Sequence, residues 1–190
     1  NSPLGRAEWI KVFGIICGRY DEANALFNLI ETNYITLKNK ITDQKFIKPK
    51  VLVGSMYAGV WDVPARNSYT AQLLLDAGTD LIWSDHSPIN RFPLSLEQVV
   101  SIALNAPFWI NVGQFTSLSD LVNADNRYRY FEAFKSQKVY NNNKQVNAFG
   151  GNAFWETGPV RPDWVLNDLF LIFHGKNELY DSLRYYRQLN

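Results

Sequence analysis

Tyr57, Trp61, Arg66 and Asn67 lie close together between VLVGS, which reads as an apolar strand, and Ser68 to Asp76, which reads as a helix. A strand, loop and helix in that order place the four side chains at the mouth of an α/β sheet, where open sheets of this class receive ligands. Trp61 comes two residues before Val63-Pro64, with its segment held at both ends. It either stacks on a planar ligand face or folds over the sheet edge as core. Arg66 directly precedes Asn67, the expected N-cap of the helix, so a guanidinium and free backbone amides would converge. That pairing suits a carboxylate, phosphate or catecholate oxygen; a solvated Arg at a loop end is the competing reading. None of these residue types at these spacings breaks bonds, so the loop reads as a binding surface.

A second aromatic group sits in the loop 147–159, NAFGGNAFWETGP, where glycines free the backbone and Phe149, Phe154 and Trp155 supply three rings. Facing the first loop, Trp155 would form the other wall of a cleft; turned inward, it would be a lid over the final helix. Trp9, Trp83, Trp109 and Trp164 read mainly as core. Cys17, the only cysteine, reads as a buried small hydrophobe and excludes an internal disulfide.

The chemistry that is missing narrows the function further. With two histidines, His86 and His174, far apart in sequence, the chain lacks the converging ligands of a protein-held zinc or manganese site. Asp85 and His86 could ligate a metal or act as acid and base, and a surface turn before Ser87-Pro88 explains them equally well. There is no GxSxG elbow, no GxxxxGKS/T loop and no GxGxxG, and closely spaced carboxylate pairs are scarce. The chain therefore reads as non-catalytic, with no resident metal or cofactor. Lys plus Arg (19) nearly cancel Asp plus Glu (18), so no broad field favours nucleic acid. Aromatics at 15% favour a flat or apolar ligand, or a protein partner. No apolar stretch is long enough to span a bilayer.

The elements that must position these residues form an α/β pattern. Leu4 to Cys17 reads as a helix with Pro3 in its first turn, and Asp21 as the cap of a longer one. In that longer helix Ala23, Phe27, Ile30, Tyr34, Leu37 and Ile41 form one apolar stripe, roughly 30 Å long, suited to a strut between lobes. After Pro49, the short apolar runs VLVGS, DLIW and FWINVG alternate with helices, which implies a mostly parallel sheet flanked by helices on both faces. Asn123 to Phe134 reads as helical and KVYNNN as a last short strand. Pro162 opens a terminal helix with Val165, Leu166, Leu169, Phe170 and Phe173 buried. Ser95-Leu96-Glu97-Gln98 matches a capping box, which leaves Glu97 pointing outward in a first turn.

The segments PLGRAEWIKVFG, VLVGSMYAGVWDVPARNSY, PLSLEQVV, FWINVG and VRPDWVLNDLFLIFHG, in that order and spacing, resemble the C-terminal half of the periplasmic substrate-binding proteins of iron-siderophore and cobalamin ABC importers. The resemblance implies residues 1–48 as a helical segment containing the inter-lobe helix and 49–190 as the C-terminal α/β lobe. It implies a non-catalytic role in holding a metal chelate, a ferric siderophore, haem or cobalamin, between two lobes. Tyr57, Trp61, Arg66, Asn67 and Trp155 would face that cleft, and Glu97 would dock on the ABC-transporter permease. A first lobe and a signal or lipoprotein segment would lie outside this sequence, with the whole at the periplasmic or outer face of the cell membrane. A metal-dependent enzyme or sensor on the same scaffold, or a protein-interaction module, are the alternative functions.

Overall fold

The computed structural model of the chain describes residues 2–44, 46–83, 92–175 and 182–190. The Asp85 and His86 pair lies outside the described residues.

The chain begins with two helices where one was expected. Pro3 sits in the first turn of α1 (Pro3–Ala7), capped by the Ser2 hydroxyl, which accepts from Gly5 N–H at 3.1 Å. Helix α2 (Trp9–Ile16) follows directly after Glu8. Then α3 runs from Tyr20 to Asp43 and buries Ala23, Phe27, Ile30, Tyr34, Leu37 and Ile41, the stripe expected from its periodicity. Asp21 is in its first turn rather than at the cap, a position occupied by Arg19.

Strand β1 (Lys50–Val53) leads into a hairpin of β2 (Met56–Tyr57) and β3 (Val60–Val63), then helix α4 (Tyr69–Asp76) and strand β4 (Asp80–Leu81). Strand β5 (Phe92–Leu94), helix α5 (Leu96–Ala103) and strand β6 (Phe108–Ile110) follow. The stretch expected as one helix is α6 (Leu118–Ala124), a 3-10 turn (Asn126–Tyr130) and α7 (Glu132–Lys135). Strand β7 (Val139–Asn141), the short α8 (Ala153–Glu156), α9 (Pro162–His174) and strand β8 (Arg187–Gln188) complete the order.

Among the described residues the main sheet runs β4-β1-β6-β7-β8, parallel except for the antiparallel β8. Because strand side chains alternate faces, Val51 and Val53 join one core and Leu52 the other. The first core is closed by α3, α4 and α9, and the second by α5, α6 and the segments after it. This is the mostly parallel α/β sheet covered on both faces that the sequence implied. The Ser95 capping box is also present: Ser95 N–H donates to Gln98 Oε1 at 2.8 Å, and Gln98 N–H donates to Ser95 Oγ at 3.3 Å.

Two residues expected in the core, Trp9 and Cys17, sit outside it, while Trp164 packs against the first core from its edge. Trp9 is 62% exposed and Cys17 is exposed, so neither is core. Trp164 is half-buried, with the Arg161 and Arg184 guanidinium groups 3.3 and 3.5 Å from its ring centre.

Candidate ligand crevice at the strand ends

The segment after β1 is not an irregular aromatic loop. Met56 pairs with Trp61 and Tyr57 with Val60 across a turn in which Ala58 (φ 48°) and Gly59 (φ 83°) are both left-handed, the backbone a tight hairpin needs. Strand β3 then pairs with β5, Trp61 opposite Leu94. This pairing turns Trp61 inward.

Trp61 is 0% exposed, and this corrects its expected place on a ligand face. Its indole N–H donates to the Val53 carbonyl at 2.8 Å, and its ring stacks on Trp109 at 5.8 Å. Trp109 donates in turn to the Gly54 carbonyl at 2.7 Å, and Met56 N–H donates to the Tyr128 hydroxyl at 3.1 Å. Both buried indoles thus find acceptors on the chain leaving β1, as buried indole N–H groups require. Their job is to hold that exit in place.

What they hold is the edge of a crevice of about 290 Å³. Gly54, Asn111 and Asn142, each immediately after β1, β6 and β7, line it at the carboxyl ends of these parallel strands. From β1 the chain goes to β4 on one side and then to β6 on the other, so the crevice lies at the topological switch point, the usual ligand position in open α/β sheets. Gly54 has φ 86°, a left-handed backbone that would strain any residue carrying a Cβ, although the Cβ itself would meet Trp61 Nε1 at an ordinary 3.4 Å.

Tyr69 and Leu73 of α4 form one wall, and Asn152, Phe154 and Trp155 another. Asn152 caps α8 by accepting from Phe154 N–H at 2.9 Å, which orients the aromatic pair. The Tyr186 hydroxyl donates to Asn111 Oδ1 at 2.9 Å. Burial raises the pKa of Tyr186 well above the ordinary phenol range, so it remains a neutral donor. Burial likewise raises Tyr69, whose hydroxyl donates to the Gly158 carbonyl at 3.3 Å. Among the described lining residues there is no carboxylate, lysine, arginine or histidine. Among the described residues no group of three or more His, Cys, Asp or Glu is placed to hold a metal ion. The arrangement can take up an apolar or flat body and hydrogen-bond its edge.

Of the expected site residues, Trp155 is on the crevice rim, 68% exposed, with its ring edge-on to Phe154 at 4.9 Å. Gly54 and Pro64 of the first aromatic stretch line the same crevice as Asn152, Phe154 and Trp155. Tyr57 is 81% exposed on β2 and outside the crevice lining. Arg66 and Asn67 are exposed in a turn closed by Ser68 N–H donating to Ala65 O at 2.9 Å. Asn67 does not cap α4; Ser68 does, its hydroxyl accepting from Ala71 N–H at 3.1 Å, because Ser68 is the last extended residue before the helix.

Glu97 is exposed in the first turn of α5 and accepts from Arg127 at 2.7 Å. Its pKa is lowered by its own backbone N–H, by the Ser95 hydroxyl and by Arg127, so it is firmly ionised. Sequence reasoning missed Tyr69, Asn111 and Tyr186. Tyr69 had a signal, since it opens the helix that follows the loop. Asn111 and Tyr186 had none, being 75 residues apart.

No protein-family model matches the chain. It is 28% identical over 177 residues to an uncharacterized lipoprotein, MJ0878, of Methanocaldococcus jannaschii, covering 92% of this chain and 40% of that one. Among solved structures, the TroA-like periplasmic binding protein FepB of Veillonella parvula superposes with a TM-score of 0.70 at 14% identity, over 97% of this chain and 61% of that one. S. aureus IsdE, solved in complex with heme, superposes with a TM-score of 0.63 at 20% identity, over 92% of this chain and 66% of that one. The chain thus spans two fifths of its lipoprotein relative and less than two thirds of these solved structures. Its fold is that of the periplasmic solute-binding proteins.

Proposed function

We propose that the chain is the C-terminal lobe, with its connecting helix, of a non-catalytic solute-binding protein that captures a metal chelate for an ABC importer. The observation that carries this reading is the crevice at the β1/β6 switch point, largely apolar and without a charged side chain among its described lining residues, with Trp155 open on its rim. An apolar chelate face would enter the crevice, and Trp155 would stack on it. Tyr57, Arg66 and Asn67 are exposed on the stretch that also supplies Pro64, and we assign them the outer contacts to ligand oxygens. The heme bound to IsdE supports a planar chelate as cargo; ferric siderophores and cobalamin share the same combination of apolar face and polar edge. The lipoprotein relative supports a place at the outer face of the cell membrane. Glu97 would meet the permease there, its charge exchanging Arg127 for a partner cation.

Native mass spectrometry of the protein with haem, cobalamin and a panel of ferric siderophores tests this reading. One ligand is expected to bind 1:1, and Thr70→Trp, which fills the crevice, to weaken it at least tenfold, or about 1.4 kcal/mol. No binding across the panel, or binding untouched by the filled crevice, would contradict it.

A further inference from the structure

Asn111, Asn142 and Asn152 line the crevice, and two of them have already committed one half of the side-chain amide. Asn111 Oδ1 accepts from the Tyr186 hydroxyl and Asn152 Oδ1 from Phe154 N–H, both at 2.9 Å. Their carbonyl oxygens are thus spent on the fold, and each Nδ2, which carries two N–H donors, has no partner among the described residues. Asn142 is 5% exposed, and its side-chain amide holds no hydrogen bond among the described residues. Every fully enclosed side-chain nitrogen or oxygen among those residues has a partner, so the Asn142 amide reaches open space, and the space it lines is the crevice. Asn111 is held there at φ 56°, a left-handed backbone that a residue with a Cβ adopts at a cost and that gathers at ligand sites. The Tyr69 and Tyr186 hydroxyls are already donated, to the Gly158 carbonyl and to Asn111.

We infer that the crevice is specific for a chelate whose entering edge carries uncharged amides, and that it discriminates against a carboxylate edge. The three free amino groups offer N–H donors to a carbonyl oxygen, and Asn142 Oδ1 can accept from the amide N–H of the same ligand group. A carboxylate would accept the same donors but would carry a full charge into a largely apolar space. No lysine, arginine or histidine stands among the described lining residues to offset the loss of its water. A protonated amine would meet donors with a donor. The inference rests on the chelate-capture reading and narrows the cargo by the chemistry of its edge.

Matched ligands that differ only in that edge test it. Haem is compared with haem whose propionates have been converted to primary amides. A dicyano corrin bearing primary amides is compared with the same corrin hydrolysed to carboxylates. Each is titrated into the protein at pH 7 and followed by calorimetry. The amide form of at least one ring is expected to bind at least about tenfold more tightly than its acid. Acids bound as tightly as their amides, or more tightly, overturn the inference and leave the chelate-capture reading standing. No binding by any of the four removes that reading and the inference with it. Asn142→Leu replaces the unpartnered amide by an apolar side chain of similar size. It is expected to shrink the amide preference at least about threefold while the affinity for the acid stays near its wild-type value. A preference unchanged in this variant would arise outside the crevice and overturns the inference as well.

Discussion

Trp61 and Trp155 both come from aromatic segments rich in glycine, and the structure uses them oppositely. Trp61 is sealed beneath the β2–β3 hairpin with its N–H donated to Val53, while Trp155 stands open on the crevice rim. Strand pairing accounts for the difference. Register between β3 and β5 sends Trp61 inward, whereas Trp155 lies on a four-residue helix whose Asn152 cap holds it at the rim. The buried ring shapes the crevice from behind and the open one is available to its contents. An aromatic residue near a binding site is thus not evidence of contact until its N–H partner and its strand register are known.

The largest test of this contrast is Trp61→Ala. Removing a fully buried indole that is stacked on Trp109 is expected to cost about 3–5 kcal/mol, read as a lower midpoint in urea unfolding. A loss under 1 kcal/mol would show that Trp61 is not core. Asn152→Ala removes the cap of α8 and is expected to cost about 1 kcal/mol. It should also broaden the Trp155 environment seen by fluorescence anisotropy; unchanged anisotropy would mean that the cap does not hold the rim.

A smaller effect separates stability from the crevice. His174 is half-buried, stacked on Phe46 at 4.4 Å, with Nε2 2.8 Å from the Ala77 carbonyl. Burial lowers its pKa below the ordinary 6.5, against the hydrogen bond to Ala77, which raises it. The unfolded chain therefore takes up the proton first. Its contribution to stability is full above pH 6.5 and is lost as pH falls through the lowered folded pKa. Unfolding midpoints between pH 7 and 5 are expected to show this slope, and His174→Gln to flatten it; an unchanged slope would place the titration elsewhere. Least of all, Trp155→Ala is expected to change stability by less than about 0.5 kcal/mol, being an open side chain. A large loss there would mean that the ring is structural.

The sequence was most legible where structure is set by near neighbours. The α3 stripe repeats every three to four residues, and the Ser95 capping box closes within four, so both could be read directly. The alternation of strands and helices likewise carried the sheet. The short hairpin was not legible, because β2 and β3 are two and four residues long and their pairing with β5 is remote. For the same reason the residues alone leave Trp61 open between a ligand face and the core. Trp9 and Cys17 were assigned to core because their helix is apolar almost all round, a pattern that shows interfaces are present without showing which are filled. Of the rings read from the sequence, Phe154 and Trp155 line the crevice, and of the expected site residues Trp155 alone. The Tyr186 to Asn111 bond joins two strand ends that no local pattern connects.

The most direct test of the crevice as the ligand wall is tryptophan fluorescence during titration with haem, cobalamin and ferric siderophores, corrected for ligand absorbance. Wild type, Trp155→Phe and Trp61→Phe are compared. Saturable quenching by one ligand, largely lost in Trp155→Phe and kept in Trp61→Phe, is the expected result. Quenching that survives loss of Trp155, or silence across the panel, would contradict the placement of the ligand against this crevice.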